Sequence, residues 1–161
     1  MKSLDYLRKM KSEEKVILIS PSVEICKSYV IKSKNCLRSA KILYKARLYE
    51  NSVGEAYYAM YNAALAMLYR AGIKSLNHSA TSMMIGFVFN RPDLKGKLEI
   101  AKKERIRKQY SVMDKIGLLS IVKTSEQFML EAEDFMLECE VLIGAIQPNR
   151  LKRLRRTIES I

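Results

Sequence analysis

The stretch from Gly54 to Leu68, GEAYYAMYNAALAML, holds three tyrosines, five alanines and one charged residue in a chain otherwise crowded with lysine and arginine. Four of its alanines recur every three or four residues, so a neighbouring helix could approach closely. Apolar residues on all sides predict a helix that is buried on most faces. The alternative, an exposed platform for stacking bases, requires interleaved Lys or Arg, which the stretch lacks. We therefore predict a core helix, with one or two tyrosine hydroxyls reaching polar partners at its edge.

Helical spacing with caps and stops continues along the rest of the chain. Two S/T-x-x-E/Q capping boxes, SVGE and TSEQ, would each begin a helix. Gly72 would end one, and Pro148 would stop another. Five main helices are predicted. The first runs from a Ser20-Pro21 cap to about Tyr49, the second from Val53 to Ala71, the third from Asn77 or Ser79 to Phe89, the fourth from Leu94 to Lys115, and the fifth from Thr124 to Pro148.

No strand pattern, repeat or linker interrupts this series. The pattern predicts an all-α fold, an up-and-down antiparallel helical bundle of about five main helices plus short terminal helices. A chain of 161 residues is long enough to bury a core as one domain, residues 1–161. We place the core of this domain at about 20–147, an N-terminal helix at 1–19 and a basic C-terminal helix at 149–161.

The three cysteines do not form a disulfide framework. Cys26 and Cys36 would lie about 15 Å apart on one helix, too far to bridge. No window is long and apolar enough for a membrane span, and the first twenty residues carry charges through their middle, unlike a signal peptide or anchor. We expect a cytoplasmic protein with reduced thiols and no membrane partner.

The net charge of +12 is unevenly distributed. Seven basic residues and no acidic one lie between Glu24 and Glu50, and five of the seven residues from Arg150 to Arg156 are basic. Conversely, six acids and no base lie between Lys123 and Arg150. Two interpretations are open: the acidic helix pairs with a basic neighbour while other charges are solvated, or the basic segments attract a phosphate-bearing partner.

Three segments carry a family resemblance. AYYAMYNAALAMLYRAGI (56–73), followed by NHS (77–79), resembles the signature of HEPN domains, whose helix usually reads AYYAMFHAA and is followed by glycine and histidine. RIRKQY (105–110) is similar to that family's R-x-x-A-D-Y, and TSEQFMLEAEDFML resembles its final core helix. The resemblance covers about Ile25 to Ile146. It implies a bundle, usually a symmetric homodimer, that binds nucleotides or RNA and is often paired with a minimal nucleotidyltransferase as a toxin–antitoxin couple.

The chain departs from the family at the positions that matter for ribonuclease activity. Ribonuclease members carry His four to six residues after Arg, but the one histidine here, His78, precedes Arg105, and Tyr110 stands at that spacing. Gln109 replaces the usual Asp, and Asn62 replaces the His of the helix motif. A tyrosine with a pKa near 10 is a poor general base at neutral pH. On a straight helix Arg105 and Tyr110 lie about 140° apart, so joint action requires a bent helix or a dimer axis.

The candidate site residues follow from the resemblance and the charge pattern. The candidate catalytic residues are Arg105, Tyr110 and His78, and the candidate nucleotide- or RNA-binding residues are Lys102, Lys103, Arg105, Arg107 and Gln109. The structural alternatives are a surface ion pair for Arg105, a core-edge position for Tyr110 and a local hydrogen bond at a helix start for His78.

Three functions are consistent with these features. The first, which we predict, is a nucleotide- or RNA-binding module, or a partner of a nucleotidyltransferase, without the usual Arg…His ribonuclease site. The second is a metal-independent ribonuclease toxin of a toxin–antitoxin pair, and the third is a structural bundle. No Glu-x-x-His pair, zinc-type Cys/His spacing, P-loop or G-x-G-x-x-G occurs, so we expect neither a metal nor a cofactor.

Overall fold

The computed structural model describes residues 2–109 and 115–160, with side chains described for 5–107 and 121–160. Within these ranges the chain forms seven helices and two short strands, and the predicted all-α bundle is confirmed. The elements are α1 Lys2–Ser12, β1 Val16–Leu18, α2 Val23–Lys45, α3 Tyr49–Ala71, β2 Ile73–Ser75, α4 His78–Val88, α5 Pro92–Gln109, α6 Lys115–Gly144 and α7 Pro148–Glu159.

Helix α3 is the centre of the bundle and packs against α2, α4, α5 and α6. The alanines at 56, 59, 64 and 66 are fully buried, which allows these helices to approach closely. Tyr57 is only 1% exposed, and Met60, Met67 and Leu68 are also buried around the same helix. The prediction that the stretch from Gly54 to Leu68 forms a core helix is therefore confirmed.

Several predicted stops and caps are confirmed. Gly72 ends α3 in the left-handed conformation, with φ of 79°. The side chain of Asn77 caps α4 by accepting a hydrogen bond from the amide of Ala80 at 2.7 Å. Asn90 adopts a positive φ of 53° between α4 and α5, and Pro92 is the first residue of α5. These residues fix where α4 begins and ends.

Both predicted capping boxes are wrong. The hydroxyl of Ser52 donates to the carbonyl oxygen of Ala40 on α2 at 2.9 Å, so it caps nothing, and α3 already begins at Tyr49. Helix α6 runs from Lys115 to Gly144 and passes through the TSEQ segment without a break, so Thr124 begins no helix. The predicted Ser20-Pro21 start is two residues early, because the side chain of Ser22 caps α2.

A short antiparallel pairing of β1 and β2 was not predicted. Val16 pairs with Ser75, and Leu18 pairs with Ile73, so the segment predicted as an N-terminal helix over 1–19 is helical only to Ser12. Three-residue strands are too short to show a clear alternation of apolar and polar residues. The pairing ties the chain before α2 to the end of α3.

The acidic helix α6 pairs with its basic neighbours, as one interpretation of the charge pattern predicted. Glu140 lies 3.0 Å from Lys34 of α2, and Glu138 lies 2.7 Å from Lys97 of α5. Lys102 and Lys103 of α5 have no carboxylate within 4 Å in the described part of the chain. Such exposed pairs contribute little to the stability of the fold, but they determine which cations remain without a carboxylate partner and so can bind an anion.

Three further observations concern the termini and thiols. Helix α7 buries Leu154 and Ile158 against the bundle, and Arg155 donates to the carbonyl oxygen of Ile19 at 2.9 Å. All three cysteines are unpaired. Across 2–109 and 115–160, no helix is long and apolar enough to cross a membrane.

We predict opposite stability changes for two Gly→Ala variants. A Cβ on Gly72 would lie 2.6 Å from the backbone oxygen of Ile19 at a φ of 79°, so Gly72→Ala should lower the free energy of unfolding by roughly 1–3 kcal/mol. Gly96 lies within α5 and has open space where a methyl group would project, so Gly96→Ala should raise the free energy of unfolding by about 0.5–1 kcal/mol. Urea denaturation followed by circular dichroism measures both, and changes of the same sign would contradict this account of Gly72.

Candidate functional site

Three helices meet at the amino-terminal end of α4. Helix α3 contributes Tyr57 and Tyr61, which share a face because they are four residues apart. Helix α4 contributes His78, its first residue, held in place by the Asn77 cap. Helix α5 contributes Arg105. The rigid packing of α3 and the cap of α4 therefore determine where these side chains lie.

The imidazole of His78 contacts two tyrosines. The hydroxyl of Tyr57 forms a hydrogen bond with Nδ1 of His78. The ring of Tyr61 lies beside the imidazole, with centroids 4.1 Å apart and an interplanar angle of 30°. Nε2 has no hydrogen-bond partner among the residues described. His78 was predicted to make a local hydrogen bond at a helix start, but its partner is instead 21 residues away on α3.

Arg105 lies over the same tyrosines. Its guanidinium carbon is 5.3 Å from the ring centroid of Tyr57 and 5.5 Å from that of Tyr58. Nη1 donates to the hydroxyl of Tyr58 at 2.9 Å, and the buried Nε has no hydrogen-bond partner within the described ranges. The surface ion pair considered for Arg105 is absent from these ranges, because two aromatic faces hold the guanidinium instead. No carboxylate of the described residues forms an ion pair with it.

The surroundings of the site keep its groups in definite protonation states. The pKa of His78 lies below its ordinary value, first because the ring is partly buried and then because Arg105 and Lys102 are positively charged. Burial raises the pKa of Tyr57 far above its ordinary value, and burial also raises that of Tyr61. At neutral pH the imidazole is therefore uncharged and both phenols keep their protons.

His78 and Lys102 line a cavity of about 370 Å³ between α4 and α5. Lys102 Nζ donates to the hydroxyl of Ser79 at 3.0 Å, which places the ammonium group beside His78. Arg105 lines a second cavity of about 330 Å³, together with Tyr58 and Glu55. The site thus has two open approaches, with Tyr57 at the first and Tyr58 at the second.

The structure brings together His78, Arg105 and Lys102 of the predicted site residues, and Lys103 lines the same cavity as His78. Arg107 is paired with Glu104 at 3.0 Å. Tyr110 and the side chain of Gln109 lie outside the described residues.

The sequence did not identify Tyr57 and Tyr58 as part of the site. The signals were their position on the helix of the family motif and the expectation that one or two tyrosine hydroxyls reach polar partners, which Tyr57 and Tyr58 do. Asn62, at the motif's histidine position, is used in packing: its amide donates to the carbonyl oxygen of Tyr58 at 2.7 Å. Within the described ranges, no group of three or more His, Cys, Asp or Glu side chains could hold a metal ion.

Comparison with known proteins agrees with the motifs and the helical fold. A protein of Methanocaldococcus jannaschii named "Putative toxin MJ0605" is 30% identical over 111 residues, which cover 69% of this chain and 78% of that protein. The HEPN domain model matches residues 27–146, from within α2 to the end of the core helices, which is well over half of the chain. This chain therefore belongs to the HEPN domain family.

Proposed function

We propose that this chain is a toxin that cleaves RNA without a metal ion, using His78 together with Arg105 and Lys102. One observation carries the proposal: the hydroxyl of Tyr57 forms a hydrogen bond with His78, and the guanidinium of Arg105 lies over the ring of Tyr57. A neutral imidazole and a guanidinium without a carboxylate partner in the described part of the chain thus both contact one buried side chain. Phosphodiester cleavage needs such a pair, because a proton must be removed and negative charge on the phosphate oxygens must be stabilised.

The comparisons favour this function over a module that only binds. The relative from Methanocaldococcus jannaschii is named as a toxin, and the chain belongs to the HEPN family. The absence of a histidine shortly after Arg105 had disfavoured a ribonuclease. His78 offsets that absence because, although it precedes Arg105 in sequence, both side chains contact Tyr57.

The proposed reaction uses the 2′-hydroxyl of RNA as the nucleophile. For Nε2 of His78 to accept the hydroxyl proton, Nδ1 must carry its own proton and donate it to the oxygen of Tyr57. The 2′-oxygen then attacks phosphorus, and the bond to the 5′-oxygen breaks. The products are a 2′,3′-cyclic phosphate and a 5′-hydroxyl that takes up a proton, so no water or oxidant is consumed. Tyr57 remains protonated throughout, since burial raises its pKa.

The two cations have different roles in this scheme. Arg105 offers the delocalised charge of its guanidinium to phosphate oxygens that enter the cavity it lines with Tyr58 and Glu55. Lys102 approaches from the cavity that it shares with His78, and it contributes a compact charge that can reach the attacked phosphate. Stabilising charge that develops in the transition state is usually the largest part of such catalysis.

We also propose that the protein is a homodimer and that a minimal nucleotidyltransferase is its antitoxin partner. Both follow from the family resemblance. A surface available for assembly supports the first: Leu130, Leu137 and Val141 lie exposed along one side of α6. Apolar residues grouped in this way on a helix are typical of an interaction surface.

Substitution of the two central residues should separate catalysis from binding. We expect His78→Gln to reduce the rate of RNA cleavage by about 100-fold or more, the usual contribution of a general base. Arg105→Met should also weaken RNA binding by roughly 1.5–3 kcal/mol, because it removes charge-assisted hydrogen bonds to phosphate. Arg38→Met, which makes the same substitution at an exposed position on α2, is the matched control and should bind and cleave RNA as the wild type does.

Cleavage of a fluorescently labelled mixed-sequence RNA and its binding by filter retention measure these effects. Unchanged cleavage by His78→Gln would contradict the assignment of the base. Salt-sensitive binding without any cleavage by the wild type would instead support the binding module.

The single histidine makes the pKa of the proposed base directly measurable. The imidazole resonances of His78 should titrate below the ordinary value near 6.5, because burial and two cations disfavour the charged ring. Lys102→Met removes one of these cations and should move the pKa upward, whereas Lys27→Met, at an exposed position of α2 that does not affect this pKa, should not. Cleavage should rise with pH through the same pKa and reach its plateau at a lower pH in the wild type than in Lys102→Met. A wild-type pKa at or above the ordinary value would contradict the description of this site.

A further inference from the structure

The cavity between α4 and α5 contains two polar side chains that the proposed reaction does not use. The hydroxyl of Ser82, which is 3% exposed, lies 3.3 Å from Oε1 of Glu99. Lys95 lies 3.9 Å from the same oxygen. Oε2 of Glu99 has no polar partner in the described part of the chain, so the carboxylate has free capacity to accept hydrogen bonds.

The rest of this cavity has the composition of a base-binding pocket. Leu98 and Ile106 supply apolar walls, and Tyr57 and His78 supply aromatic ones. Its volume of about 370 Å³ lies within the range of roughly 300–1,000 Å³ that is common for small-molecule sites. Single-stranded RNA is read in such pockets by stacking on Tyr or His and by hydrogen bonds to the Watson–Crick edge of the base.

We propose that this cavity binds a guanine base of the RNA and that Glu99 selects it. The proposal rests on the proposed function, since it assigns a base preference to the same site. A carboxylate only accepts hydrogen bonds, and guanine alone among the four bases presents two adjacent donors, N1–H and N2–H₂, on its Watson–Crick edge. Adenine and cytosine place a ring-nitrogen acceptor beside their amino group, and uracil places carbonyl oxygens on both sides of its one donor. Those acceptors would face the carboxylate and be repelled.

The position of Glu99 relative to the cations fits this role. Lys102 lines the cavity beside His78, and Lys103 is exposed at the same cavity without a partner in the described ranges. Phosphate oxygens would meet these ammonium groups, while the base enters between Leu98 and Ile106 toward Glu99. The positive charges of this cavity thus face the phosphate of a nucleotide, and the negative charge of Glu99 faces its base. Glu99 is the specificity-determining residue.

Binding of mononucleotides tests this proposal without requiring cleavage. Isothermal titration with the 3′-monophosphates of guanosine, adenosine, cytidine and uridine should show that guanosine monophosphate binds the wild type about 10-fold or more tightly than the other three. This factor corresponds to the lower part of the range for one bidentate contact to a base. Glu99→Gln should abolish the preference, because an amide replaces one acceptor with a donor.

Two further variants keep the result interpretable. Glu126→Gln makes the same chemical change at an exposed position on α6 and should retain the guanine preference. Glu99→Asp keeps the charge but shortens the side chain, and it should reduce the preference while leaving the thermal unfolding temperature close to that of the wild type.

Equal affinity of the wild type for the four nucleotides would overturn the proposal. A guanine preference that survives in Glu99→Gln would also overturn the role of Glu99. Loss of the guanine preference in Glu99→Gln, with the preference retained in Glu126→Gln, supports the proposal. This result does not depend on whether the wild type cleaves RNA, so the binding test and the cleavage test can fail separately.

Discussion

The site depends on the burial of Tyr57 in the core of the bundle. Its side chain is buried on the alanine-rich helix α3, and its hydroxyl forms a hydrogen bond with His78 at the start of α4. Because α3 is enclosed by other helices, the ring cannot change position without disturbing the packing. Truncating a buried aromatic residue of this kind costs about 3–5 kcal/mol, so one side chain both stabilises the fold and positions the proposed base.

Several cations on the neighbours of α6 have a carboxylate partner, but Arg105 does not have one among the described residues. Carboxylates of α6 pair with Lys34, Lys97 and other cations on neighbouring helices, whereas Arg105 lies over two tyrosine rings without an acidic partner in the described part of the chain. A cation–π contact contributes only about 0.5–2 kcal/mol and leaves the positive charge available to a ligand. A cation in this state meets the requirement of the proposed role, in which Arg105 binds phosphate.

The sequence correctly predicted helix ends that depend only on residues close together in the chain. Gly72 required a positive φ and Asn77 could cap the next helix, and both requirements are met within a few residues of the chain. The SVGE capping box failed because the hydroxyl of Ser52 donates to the carbonyl oxygen of Ala40 on another helix, a contact that sequence spacing does not show. A hydroxyl with a tertiary partner no longer behaves as its local motif predicts.

The candidate site was only half predictable for the same reason. Arg105 and His78 were identified by residue type, but their relationship depends on Tyr57, which brings α4 and α5 to the same ring of α3. A motif search along one helix finds Tyr110 after Arg105, but it does not include His78, which lies 27 positions before Arg105. Proximity across three helices is a property of the packed bundle.

A double-mutant cycle on RNA cleavage tests most directly whether His78 and Arg105 act as one site on Tyr57. The rates of the wild type, His78→Gln, Arg105→Met and the double variant would be compared under single-turnover conditions. If the two residues act together, the double variant should lose little more activity than the more damaging single variant. If the losses of the single variants multiply in the double variant, the two residues act independently, and a shared site on Tyr57 is contradicted.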